Sequence, residues 1–405
     1  MYQIYCRTVQ FFLRIAAYFL PWRYPEELKD YHQLALLLKK KQINSVLLVT
    51  GKNVSRLGLY EPLLKALEIV DISVAVYNET VPDPTIDNVE AALQLYKSKN
   101  CSAIIAFGGG SPMDCAKIVG ARVARPNKTV SQMRGVFKVL RKIPLFVAIP
   151  TTAGTGSETT IAAVITDSIT HEKYAVSDLA LIPHYTILDP KLTVGMPPHI
   201  TAFTGMDALC HAVEAYIGRN NTQQTRKDAL QAAKLIFENL YPAFCAGTHL
   251  TARINMQMAA YQAGRAFTRA YVGYVHAIGH ALGARYGISH GFAMAVILPQ
   301  ILELYGKAAH KRLSEIAVFT GIGDKNESQE KNSAKFIETI RKLNASMGIP
   351  NKIDVLKEED IPELSKIALK EANPLYPVPL IFDMHKMEQA FFSLLKCGTN
   401  SNNEL

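Results

Sequence analysis

Residues 103–119 read AIIAFGGGSPMDCAKIV: an unbroken apolar run, three consecutive glycines, and then Ser111-Pro112 at the head of an amphipathic stretch. A short apolar run bounded by glycine reads as a buried strand, and proline is favoured in the first turn of a helix. A strand that turns through glycine straight into a helix is the repeating step of a parallel α/β sheet. The same kind of run recurs on either side, at Val46-Leu47-Leu48-Val49, Val74-Ala75-Val76-Tyr77 and Leu145-Phe146-Val147-Ala148-Ile149, with segments between them long enough for crossover helices. The spacing predicts a doubly wound, Rossmann-like α/β domain.

Beyond Pro197-Pro198 these runs stop and helical periodicity takes over, at Ala202–Tyr216, Thr225–Leu240, Thr251–Ala266, Val296–Ala309 and from Ser333 onward. A change of period at one place marks a domain boundary, so we divide the chain into residues 1–195 and an all-helical 196–405. Gly323–Ser328 reads as a loop, and the tail from Gly398 has nothing to bury. No internal repeat or low-complexity tract is present, which excludes solenoids.

The chain has 405 residues, 49% apolar and 20% charged, which excludes a disordered or disulfide-stapled protein. Its 44 Lys+Arg against 35 Asp+Glu leave +9, but beyond Lys39-Lys40-Lys41 the cations are scattered, with no basic stripe for nucleic acid. A modest positive balance suits an anionic small ligand steered into a cleft. The six cysteines (Cys6, Cys101, Cys115, Cys210, Cys245, Cys397) form no C-x-x-C pair, which argues against a disulfide framework and a thiolate zinc site and points to the cytoplasm. In the N-terminal segment Met1–Trp22, Arg14 interrupts the apolar residues, so the stretch is too short for a membrane span. As a helix it would carry Arg7, Gln10 and Arg14 in a narrow polar stripe beside a broad apolar face. We expect that face to pack on the protein itself or a sister subunit rather than on a membrane surface.

Two loops and a set of histidines could carry chemistry. Gly108-Gly109-Gly110-Ser111 lets the backbone approach a ligand, and the N–H groups at the helix start attract a phosphate. Thr151-Thr152-Ala153-Gly154-Thr155-Gly156-Ser157 follows the next strand. Loops at the carboxyl ends of neighbouring strands converge on one crevice, which favours a nucleotide. In the helical half, Asp207 and His211 lie one turn apart, and His276, His280 and His290 follow in HAIGHALGARYGISH. On an unbroken helix His276 and His290 would stand about 21 Å apart. They meet only if the chain reverses, with Gly287 ending one helix and Ser289 capping the next. Three imidazoles and a carboxylate suit divalent zinc or iron, and the absence of H-E-x-x-H argues against a zinc peptidase. Spacing alone leaves open whether His276 or His280 is the ligand.

Taken together, FGGGSPMDCAK, IPTTAGTGSE, DPKLTVGMPP, GMDALCHAVEAY and HAIGHALGARYGISHGFAMA resemble the signatures of the iron-containing (group III) alcohol dehydrogenase family, over roughly residues 40 to 395. The resemblance implies a dinucleotide-binding domain, a helical metal-binding domain in a dehydroquinate synthase-like architecture, and a cleft where nicotinamide meets a small alcohol or aldehyde. It implies Asp207, His211, His276 and His290 as ligands of Fe(II) or Zn(II), and His280 as a proton-relaying residue near the nicotinamide. Gly109, Gly110, Ser111 and Asp114 match the pyrophosphate loop. Thr151, Thr152, Thr155 and Ser157 match the second cofactor loop, and Lys173 matches a lysine that approaches the cofactor. Family members are commonly homo-oligomers.

The chain departs from the family pattern in two places. Where many NAD-using relatives carry an acidic residue after the first strand, it has Gly51 and then Lys52, so a 2′-phosphate would meet no carboxylate and could pair with Lys52, Ser55 or Arg56. We therefore expect NADP(H) to be favoured over NAD(H). The segment Met1–Trp22 replaces the strand-like opening of many relatives. Two other readings compete: a sugar-phosphate cyclase of the dehydroquinate synthase type, whose usual Glu-and-two-His metal set differs from this one, and a membrane-peripheral, non-enzymatic scaffold using residues 1–22.

Overall fold

The computed structural model describes residues 1–170 and 172–396; Cys397 and the tail from Gly398 lie outside the described residues. Six parallel strands form the main sheet, in the order Glu26–Glu27, Tyr185–Thr186, Leu145–Pro150, Ala103–Gly108, Ser45–Gly51, Ser73–Thr80. The order reverses between Ser45–Gly51 and Ala103–Gly108, where open sheets leave a crevice at the strands' carboxyl ends. Alternation of side chains divides each strand between two cores. Leu47, Val49, Ile104, Ala106, Phe146 and Ala148 pack against the helices Ile86–Ser98 and Gly110–Ala124. Val46, Leu48, Ile105, Phe107, Val147 and Ile149 face the other side, with Tyr31–Lys40 and Glu61–Glu68. Each fully buried Leu, Ile or Phe contributes about 1.5–3 kcal/mol, which is why the strands are apolar on both faces.

A three-stranded sheet that the apolar runs did not reveal lies beside this layer, built from Gly135–Val136, Lys173–Ser177 and Ala162–Thr166. The strands Ala162–Thr166 and Lys173–Ser177 alternate buried with mostly half-buried residues, a weaker signal than a continuous run. From Pro198 onward the named elements are helical. The Pro198–Ile217 helix is almost wholly buried and packs against Gln223–Cys245, Leu250–Ala270 and His290–Tyr305. The helix expected over Val296–Ala309 is two helices, His290–Tyr305 and Lys307–Phe319, because Gly306 takes a left-handed φ of 50° that ends the first. No disulfide joins cysteines among the described residues; Cys6, Cys101, Cys115 and Cys210 are buried thiols.

The N-terminal helix, Tyr2–Phe19, narrows an expectation: its broad apolar face does not pack on its own chain. Arg7 and Gln10 of the polar stripe dock on the protein together with the buried Cys6, while Arg14 stays exposed. Arg7 donates to the carbonyls of Val378 (2.8 Å) and Pro379 (2.9 Å), and Gln10 donates to those of Tyr376 (2.7 Å) and Pro374 (3.1 Å). These carbonyls belong to an irregular segment with no strand partner, so arginine and glutamine supply the donors that its backbone needs. The apolar residues are left pointing outward. Among the described residues, no helix is long and apolar enough to cross a membrane.

Candidate active site

The two glycine-bearing loops close on each other at the carboxyl ends of paired strands, where Gly108 registers with Pro150. A Cβ at Gly110 would stand 3.0 Å from Thr155 Cγ2, so glycine is what lets the threonine loop approach the helix start. Gly109 precedes that helix with no side-chain cap, leaving its first N–H groups for a ligand such as a phosphate. Thr151 is buried, whereas Thr152, Thr155 and Ser111 are partly open.

Asp114, on the Gly110–Ala124 helix, and Ser157, in the second loop, spend their side chains on each other. Ser157 Oγ donates to Asp114 at 3.0 Å, and the same carboxylate accepts from Val164 N–H at 3.1 Å. Burial, opposed by Lys117 nearby, raises the Asp114 carboxyl to about 6. Lys117, unremarked within FGGGSPMDCAK, donates to Ser157 Oγ (3.0 Å), Thr160 Oγ1 (2.7 Å) and the Ala162 carbonyl (2.8 Å), and burial lowers it to about 8. These side chains brace the second loop against the first helix. Lys173 Nζ pairs with Asp83 at 2.7 Å.

The second loop also touches the helical half. A Cβ at Gly154 would lie 2.6 Å from Thr204 Cβ, on the helix that carries Asp207 and His211. The Tyr274–Tyr286 helix carries His276 and His280, ends at Gly287 with φ 67°, and after Ser289 the next helix begins at His290. The chain therefore reverses where glycine allows it, although the Ser289 side chain makes no capping bond.

This reversal gathers Asp207, His276 and His290, whose ligand atoms all lie within 4.8 Å of one another. His290 Nε2 is 3.4 Å from Asp207 Oδ1. His211 lies beside the trio, its Nδ1 3.9 Å from the same oxygen and its ring stacked on Phe267 at 4.0 Å. Asp207 Oδ1, His211 Nδ1 and His276 Nε2 are buried and have no hydrogen-bond partner. Unpartnered acceptors that converge from three side chains cost several kcal/mol unless a cation meets them. Burial tends to raise the Asp207 carboxyl, but His211 and His290 hold it well below its usual range. Burial also lowers His211, to about 3, and His290, which favours the neutral imidazole that a metal needs. The residues fit a divalent ion.

His280 stands apart from that trio. Its Nδ1 is 2.8 Å from Glu371, which also accepts from Tyr376 OH at 2.8 Å, and its ring stacks on His290 at 5.3 Å. Burial opposes its charge, but Glu371 prevails and raises it. Two carboxylates went unnoticed in the sequence. Glu214 could have been found, since it lies seven residues after Asp207 on one helical face. Glu371 is 91 residues from His280, and no spacing announces it.

The descriptions "iron-containing alcohol dehydrogenase" and "Fe-containing alcohol dehydrogenase family, C-terminal" match residues 25–190 and 201–391. This chain belongs to the iron-containing alcohol dehydrogenase family. It is 38% identical to the 1,3-propanediol dehydrogenase of Citrobacter freundii over 81% of this chain and 85% of the relative. It is 37% identical to the NAD-dependent methanol dehydrogenase of Bacillus methanolicus over 82% and 88%. Among solved structures, a 1,3-propanediol oxidoreductase superposes with a TM-score of 0.88 at 32% identity, covering 93% of this chain and all of that one. As a member of this alcohol dehydrogenase family, the protein transfers hydride between a nicotinamide cofactor and a small alcohol or aldehyde. The family membership favours this reading over a cyclase or a non-enzymatic scaffold.

Proposed function

We propose that Asp207, His211, His276 and His290 together hold one Fe(II) or Zn(II) ion, and that the carrying observation is the convergence of their unpartnered buried atoms. Such an ion would supply Lewis-acid polarisation of the substrate oxygen. Gly109, Gly110 and Ser111 would hold the dinucleotide's phosphates, with Thr151, Thr152, Thr155 and Lys173 as further contacts. Asp114, Ser157 and Lys117 hold the shape of its loop. His280, with Nδ1 engaged by Glu371, keeps Nε2 to take or give the alcohol proton. Burial of Asp207, His211 and His276 keeps water from the ligand side of the cleft. In this reading the α/β layer within residues 1–195 serves the cofactor and 196–405 the metal, the N-terminal helix resting on the latter, and the enzyme is a cytoplasmic homo-oligomer.

We further read the cofactor as NADP(H) in preference to NAD(H). Gly51 itself brings no carboxylate to the strand end, and the short helix Lys52–Arg56 that follows offers cations. Lys52 now pairs with Glu79 at 2.7 Å in a solvent-exposed contact, and such pairs are weak enough to exchange for a phosphate. Gly51→Asp is expected to lower kcat/KM for NADPH by about tenfold while sparing NADH, since one added repulsion of about 1.4 kcal/mol suffices. Steady-state kinetics with both cofactors would show it, and an unchanged ratio would remove Gly51 from the argument.

The test of the whole reading is cofactor oxidation by protein reconstituted with Fe(II) or Zn(II), given NADPH or NADH and a panel of short aldehydes. Turnover is expected with metal and not in a chelated control. Bound metal with no oxidation of either cofactor would overturn the assignment.

A further inference from the structure

The N-terminal helix is the largest feature that the proposed chemistry leaves unused. Ile4, Phe11, Phe12, Ile15, Tyr18 and Phe19 share its outward side and are 44% to 78% exposed. At about 150–250 Å² for each aromatic side chain, these six present roughly 700 Å² of mostly apolar surface. The largest patch on a typical monomer is about 300–600 Å², whereas a standard interface takes about 800 Å² from each partner. The family match begins at residue 25, so this surface lies outside the matched residues.

We propose that this outward face seats the same face of a second copy of the chain, helix against helix across a two-fold axis. A two-fold contact sets a patch against itself, so like charges within it would repel. None of the six residues is charged. A bilayer is the poorer partner. Helices that lie in a lipid interface keep a Lys/Arg-rich polar face among the headgroups. Here Arg7 is committed to the Val378 and Pro379 carbonyls and Gln10 is buried, which leaves Arg14 as the one exposed cation of the polar stripe. The same grip ties the interface to the site: Gln10 holds the Tyr376 carbonyl, and the Tyr376 hydroxyl donates to Glu371, the partner of His280.

Light scattering on the full-length protein and on a Phe12→Asp/Phe19→Asp double variant tests this. Both positions are exposed, so the variant should keep its far-UV circular dichroism. The expected result is a particle mass that halves in the variant. Sedimentation of the wild type over a concentration series gives a second reading, with dissociation expected on dilution below the dissociation constant. Equal masses for wild type and variant would overturn the proposal. Equal masses together with flotation of the wild type alone on anionic phospholipid vesicles would overturn it in favour of lipid.

Discussion

His276→Ala is expected to lose the bound metal and at least about 10³-fold in kcat/KM, whereas His280→Ala is expected to keep its metal and lose about 10²–10⁴-fold in turnover. The two residues lie one turn apart on the same helix, and their surroundings separate them. His276 offers a buried, unpartnered Nε2 within 4.8 Å of the ligand atoms of Asp207 and His290. Removing it breaks that converging trio and leaves Asp207 and His290 with His211 set to one side. His280 has its Nδ1 on Glu371 and a side chain that is 36% exposed, and it contributes to no such group. Metal content by elemental analysis, measured on both variants beside steady-state rates, distinguishes the two roles. Metal lost from His280→Ala and retained in His276→Ala would reverse the assignment.

The ambiguity between these histidines shows where reading the sequence stops. The strands at 45–51, 73–80, 103–108 and 145–150 were legible because a sheet covered on both faces needs continuous apolar runs. The reversal at Gly287 was legible too, since only a bend brings His276 to His290. The two-residue strand Glu26–Glu27 was not, because an edge strand joined only to Tyr185–Thr186 needs no apolar side chains. The amphipathic pattern of Tyr2–Phe19 announced a helix and left open what each of its faces meets. Periodicity tells which residues share a face but not which face finds partners, and here the backbone carbonyls of residues 374–379 bound the polar one. Pairing across long sequence distances, as between His280 and Glu371, leaves no local trace.

Glu214→Gln is expected to weaken metal binding by about 10–100-fold although residue 214 is not itself in the ligand set. Glu214 is buried beneath the site and accepts three hydrogen bonds: from His276 Nδ1 at 2.6 Å, Gly273 N–H at 2.8 Å and Val275 N–H at 2.9 Å. A carboxylate only accepts, so it keeps the His276 proton on Nδ1 and leaves the Nε2 lone pair for an ion. The same two oxygens hold the backbone at the start of the Tyr274–Tyr286 helix, and thus the position from which His276 projects. Glutamine preserves the volume but replaces one acceptor with an amide N–H₂, which faces donors and cannot satisfy them. The imidazole is then free to rotate or to change tautomer. Competition with a chromophoric chelator gives the metal dissociation constant, and thermal melting of the metal-free protein gives the cost to the fold. If Glu214 were structural only, Glu214→Gln would lower the melting temperature while its affinity for metal stayed at the wild-type value. Weaker metal binding at a temperature where the metal-free variant remains folded is the signature of a carboxylate that orients a ligand.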